Sequence, residues 1–146
     1  MRVYSIFHIK PKHQSFIYGR ERLLFELING VKTNQNNFYP SQELAYLCET
    51  LPVEDIETSI EKHLHTSFSA INIKNHEIYL SNQFKGDLHI EIQPYYLNVY
   101  CIGSRMLELD LFATLSKISS GFIGFNKGEM ECGWLKPPKF SVLAES

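Results

Sequence analysis

The hydrophobic period of this chain changes near residue 65, and that change limits what it can fold into. Before it, apolar residues recur at helical spacing. Leu23, Leu24, Leu27, Ile28 and Val31 share one face, then Leu44, Leu47, Cys48 and Leu51, then Val53, Ile56, Ile60 and Leu64. After it, the period falls to two. Leu88, Ile90 and Ile92 alternate with His89, Glu91 and Gln93, the pattern of a half-buried strand. Phe68 to Ile73 and Glu77 to Leu80 read as a hairpin turning at Asn75, and Tyr95 to Ile102 as a further strand after Pro94.

The two flanks complete the outline. Val3 to Ile9 is rich in β-branched and aromatic residues and reads as a first strand, ended by Pro11. The first helix starts at Gly19 or Arg20 and stops at Asn29-Gly30. Ser41 caps the second helix, and Pro52 ends it and opens the third. Arg105 to Ile118 reads as a last, well-covered helix. A closing hairpin follows, GFIGF and MECGWL around Asn126-Lys127-Gly128. The order is strand, three helices, four strands, helix, two strands. It predicts an α+β fold: a single mixed, largely antiparallel sheet flanked by about four helices. A length of 146 residues suits one globular domain over 1–146.

Composition narrows the function classes. No apolar run approaches the roughly 20 residues needed to cross a bilayer, and the N-terminus lacks the marks of a signal peptide. The three cysteines, Cys48, Cys101 and Cys132, form no disulfide or zinc spacing and suit reduced thiols in a cytoplasmic protein. Net charge is −2, but residues 1–40 carry a net +4 and residues 41–66 a net −5. With no basic stripe, nucleic acid is not the expected ligand. The asymmetry suits either a protein partner or solvated helix faces.

A search for chemistry finds no enzyme signature. His63 and His65 diverge on a helix and make a poor chelate, and no ligand set joins them. Cys101 and His89 lack an orienting third group. The glycines of Ser119 to Gly128 are not followed by the Lys-Ser or Lys-Thr of a phosphate loop. Glu108 and Asp110 project to different sides of their helix. No catalytic residue, cofactor or metal is expected.

The stretch that stands out is Phe16-Ile17-Tyr18-Gly19-Arg20-Glu21. Three bulky apolar residues in an extended segment cannot all point inward, so at least one is expected outside, as in a protein-binding patch. Arg20 opposes the helix dipole and needs a partner, either an acid of the second or third helix or a ligand.

Tyr18-Gly19-Arg20-Glu21, followed by Phe25-Glu26-Leu27, resembles the N-terminal motif of the sporulation inhibitor of replication family (SirA). Gly133-Trp134-Leu135 with Pro137 resembles that family's Gly-Trp-Leu-x-Pro ending. Between the two ends, about residues 65–120, the likeness lies in element order. The resemblance implies a cytoplasmic non-enzyme that binds the N-terminal domain of the replication initiator DnaA and blocks its action at the chromosomal origin. It implies a partner surface at His13, Ile17, Tyr18 and Glu43, with Gly19, Arg20, Glu21, Gly133 and Trp134 as structural motif. His13 and Ile17 stand where the family pattern has aromatics, and Cys132 where it has Tyr. From the residues alone, a second function class stays open: a small-molecule binder or enzyme with a site near Arg20 and the sheet.

Overall fold

A computed structural model describes residues 1–32, 42–126 and 128–136, with the backbone alone for 29–32 and 42–44. The elements run β1 (Arg2–His8), α1 (Pro11–Ile17), α2 (Glu21–Lys32), α3 (Gln42–Leu47), α4 (Val53–Leu64), β2 (Ala70–Lys74), β3 (Glu77–Asn82), β4 (Gly86–Ile92), β5 (Tyr96–Gly103), α5 (Met106–Ile118), β6 (Phe122–Asn126) and β7 (Glu131–Trp134). The expected α+β class holds. The seven strands form one sheet in the order β2-β3-β4-β5-β1-β6-β7, and every pairing among them is antiparallel.

Local chemistry accounts for the turns. Asn75 and His76 have φ of 49° and 65°, so β2 and β3 are joined by the two-residue turn whose twist matches that of paired strands. At the other end of this region Gly86 faces Gly103 across the ladder, with φ of 122° and 121°. A Cβ on Gly86 would lie 2.0 Å from the Ile102 carbonyl oxygen, so only glycine fits where β4 and β5 close on each other.

Alternation along the central strands splits the core between the two sheet faces. On one face Ile6, Leu88, Ile90, Leu97, Val99 and Phe122 are buried against Ile56, Ile60 and Leu64 of α4 and Leu107, Leu111 and Leu115 of α5. On the other, Phe7, Tyr96, Ile123 and Phe125 pack with Ile17 of α1, Leu24, Phe25 and Ile28 of α2 and Cys48. Phe25 stacks on Phe125 with ring centroids 5.5 Å apart. This second face is covered only in part. On β3 and β4 its side chains are exposed or half-buried (Glu77, Tyr79, Asp87, His89, Glu91), while their neighbours on the first face are buried.

Three expectations need correction. Pro11 does not simply end the first strand: it opens a helix, where a missing N–H costs nothing. Residues 11–17 are therefore helical, and among the described residues five helices flank the sheet. The second predicted helix stops at Leu47 instead of Leu51, because the end of β1 takes its backbone groups. Lys10 N–H donates to the Leu47 carbonyl at 2.9 Å, Glu49 N–H donates to the His8 carbonyl at 2.8 Å, and Ile9 pairs with Cys48. Lastly, α2 runs through Asn29-Gly30 to Lys32.

Candidate protein-binding site

The helical turn of residues 11–17 decides which side chains of the opening stretch face out. Ile17 is 3% exposed and sits in the second core with Leu24, Phe25 and Ile28. The expectation that Ile17 is displayed to a partner is therefore overturned. An extended chain would have forced one of the three consecutive apolar residues outward. A helix instead turns each by about 100°, which sends Ile17 inward and Phe16 outward. Phe16 is 55% exposed, His13 and Tyr18 are half-buried, and Glu43 lies in α3 with its side chain outside the described residues.

The Tyr18-Gly19-Arg20-Glu21 segment is the link between α1 and α2, and it is held from several sides. Tyr18 N–H caps α1 by donating to the Gln14 carbonyl at 2.9 Å. Gly19 has a φ of 87°, and a Cβ there would meet nothing within 4 Å, so glycine is favoured for its backbone and not for space. Arg20 Nη1 donates to the Phe16 carbonyl at 2.8 Å, and its guanidinium lies 4.7 Å from the Phe16 ring centroid. Among the described residues no carboxylate pairs with Arg20. In place of the expected acid on a later helix, it uses the last turn of α1, where free carbonyls and the negative dipole end attract a cation.

Glu21 joins the two ends of the chain. Its Oε2 accepts from Gly19 N–H at 3.0 Å and from the Trp134 indole N–H at 3.0 Å. Burial acts to raise the Glu21 pKa. The hydrogen bonds from Gly19, its own backbone and Trp134 outweigh it and hold the carboxyl below its ordinary value. Trp134, half-buried against the second core, thus serves the structure, while Gly133 is exposed with open space around a would-be Cβ.

Beside this braced turn lies an aromatic patch. Tyr46 on α3 is 61% exposed, and its ring lies 4.5 Å from that of His13. The Lys10 and Lys12 ammonium groups stand 5.8 Å and 6.0 Å from the Tyr46 ring centroid. The anchoring of Leu47 and Glu49 to the end of β1 fixes this juxtaposition. Phe16 and Tyr46 are therefore outward aromatics with cations set over both. Sequence reasoning missed Tyr46, although an aromatic off the Leu44-Leu47-Cys48 stripe marks the solvent side of an amphipathic helix. Proline at a helix start was the overlooked sign for Phe16.

The alternative site near Arg20 is not assembled. Cys101 is fully buried in the core shared with α5, where burial pushes its thiol up to about 12. His89 projects from the opposite sheet face. Arg20 is engaged with Phe16. A thiol held that far above neutral pH is a poor nucleophile.

The sequence model of the family described as "Sporulation inhibitor of replication protein SirA" matches residues 2–139. The chain belongs to the SirA family. No curated protein matches it. Both motifs that carry the resemblance fall inside the matched span, and the Glu21–Trp134 hydrogen bond joins one to the other. The SirA description is that of a replication inhibitor. Among the described residues no helix is long and apolar enough to cross a membrane.

Proposed function

We propose that this SirA-family chain is a cytoplasmic regulator that binds the N-terminal domain of DnaA and thereby inhibits initiation at the chromosomal origin. It acts by occupying a partner surface and performs no reaction. Membership of the family supports the inhibitory role. One structural observation supports the surface: Phe16 and Tyr46 stand outward beside a turn stapled by Gly19, Arg20 and Glu21, with Lys10, Lys12 and Arg20 at their rings. Exposed aromatics amid basic side chains form an anchor with a charged rim, the composition of an interface hot spot. His13 and Tyr18 belong to the rim of this surface, Glu43 is assigned to it by the family resemblance alone, and Ile17 supports it from beneath.

The test is a titration of the chain against the isolated DnaA N-terminal domain, with gel filtration to detect a discrete complex. Phe16→Ala and Tyr46→Ala are each expected to weaken binding at least about tenfold, equivalent to about 1.4 kcal/mol. Both side chains are exposed, so the thermal midpoint is expected to stay within about 2 °C of the parent. Parental affinity in both variants rejects the surface, and failure of the parent chain to bind rejects the partner.

A further inference from the structure

The uncovered half of the second sheet face carries a cluster that the proposed DnaA surface does not use. Glu77 on β3 stands directly opposite Glu91 on β4, and His89 lies two residues before Glu91 on the same face. One donor atom from each, a histidine nitrogen and two carboxylate oxygens, lies within 4.8 Å of the others. Like charges directly opposed across a ladder repel, and a cation between the two carboxylates would relieve that repulsion.

We propose that Glu77, His89 and Glu91 form a binding site for a divalent transition-metal ion, with Zn²⁺ the best fit. One imidazole with two carboxylates is a nitrogen–oxygen donor set that zinc accepts. It supplies too few oxygens for calcium, and magnesium has little use for its nitrogen. Contraction of the donors around a central ion at about 2.0–2.2 Å from each brings them into bonding range.

The side chains around the set are arranged to hold it. The His89 ring is stacked between Tyr79, at 4.3 Å and 6°, and Tyr100, at 5.5 Å and 25°. Tyr79 Oη–H donates to Glu77 Oε1 at 3.1 Å, and Tyr100 Oη–H donates to Glu91 Oε1 at 2.8 Å. Each carboxylate is thus oriented by an outer hydroxyl, the kind of support that fixes metal ligands elsewhere in proteins, while the two tyrosine rings fix the plane of the imidazole. His89 Nε2 lies 2.9 Å from Glu77 Oε1, so the imidazole already points into the set. A cavity of about 460 Å³, lined in part by Tyr79, His89, Glu91 and Tyr100, opens beside it. That opening leaves the fourth position of a tetrahedral ion free for water or an added ligand.

The experiment is calorimetric titration of the chelator-treated full chain with ZnCl₂. One saturable site per chain is expected, weakened by more than about tenfold in His89→Gln and in Glu91→Gln and unchanged in His63→Gln/His65→Gln. Glutamine keeps the shape of glutamate on a solvent-facing position, and circular dichroism checks the fold of each variant. The parent chain gives a second readout that needs no substitution: added Co²⁺ should broaden the NMR signals of the His89 ring first. Absence of a saturable site overturns the proposal. So does unaltered binding in His89→Gln, or Co²⁺ broadening centred on His63 and His65.

Discussion

Glu21 and Trp134 offer the sharpest test of how the two family motifs depend on each other. Trp134→Phe keeps an aromatic ring against the second core and removes only the indole donor to Glu21 Oε2. A hydrogen bond to a charged group contributes about 1.5–3 kcal/mol. Glu21 is half-buried and keeps its bond from Gly19 N–H, so the lower end applies, about 1.5 kcal/mol. For a chain of 146 residues that is a fall in thermal midpoint of about 3–6 °C. Glu21→Gln removes the charge from the first turn of α2 and weakens both bonds, at about 2 kcal/mol. If the two side chains act through their mutual bond, the double variant loses less than the sum, with a coupling of about 1 kcal/mol from urea unfolding followed by circular dichroism. Additivity within about 0.3–0.5 kcal/mol would mean that the bond carries no stability and that the motifs are joined only by packing. The sign of the pH effect is fixed as well. Glu21 is held below its ordinary pKa, so its contribution is present above the unfolded value and lost as pH falls through the folded one. Trp134→Phe should move that acid loss to higher pH.

Two further outcomes follow from buried groups. Ile17→Ala is expected to cost about 3 kcal/mol, since Ile17 is 3% exposed, whereas Phe16→Ala next to it should cost under about 1 kcal/mol. Comparable midpoints for the two in a thermal melt would refute the helical assignment of residues 11–17. Glu108 is bound by Arg2 through contacts of 2.6 Å and 2.7 Å and by the Tyr4 hydroxyl at 2.7 Å. Burial pushes its pKa up, but these bonds outweigh it and hold the carboxyl below its ordinary value, so its stabilising effect is lost in acid. Glu108→Gln should cost about 3 kcal/mol at neutral pH and flatten the acid limb of a stability–pH curve. An unchanged acid limb would exclude Glu108 as a source of acid lability.

Periodicity made the sheet and three of the helices legible, because the apolar positions that define them are also the positions that pack. Leu88, Ile90 and Ile92 all turn to the covered face, as their alternation implies. Strand order was not legible, since partners such as Ile6 and Leu97 are joined by tertiary pairing far along the chain. Ile17 was placed outside because α1 is short. A seven-residue helix opened by Pro11 leaves only about two turns of pattern, too few to distinguish it from a loop. The Glu77–His89–Glu91 cluster escaped the ligand-spacing search for a related reason: its members sit on two strands, and β3–β4 pairing alone brings them together.

The place of β1 in the sheet also sets a timetable for folding. Its neighbours are β5 and β6, and both are made long after it. On the ribosome, β2 to β5 can zip up by successive local hairpins while Arg2–His8 waits for Tyr96–Cys101. At ordinary synthesis rates that wait is on the order of ten seconds, with Ile6 and Phe7 presenting apolar side chains on both faces of an unmatched strand. The second vacancy closes only when Phe122–Phe125 arrives. A nascent chain stalled before that point offers a greasy open edge, which makes it a natural client for holding chaperones and a poor candidate for expression as a truncated fragment.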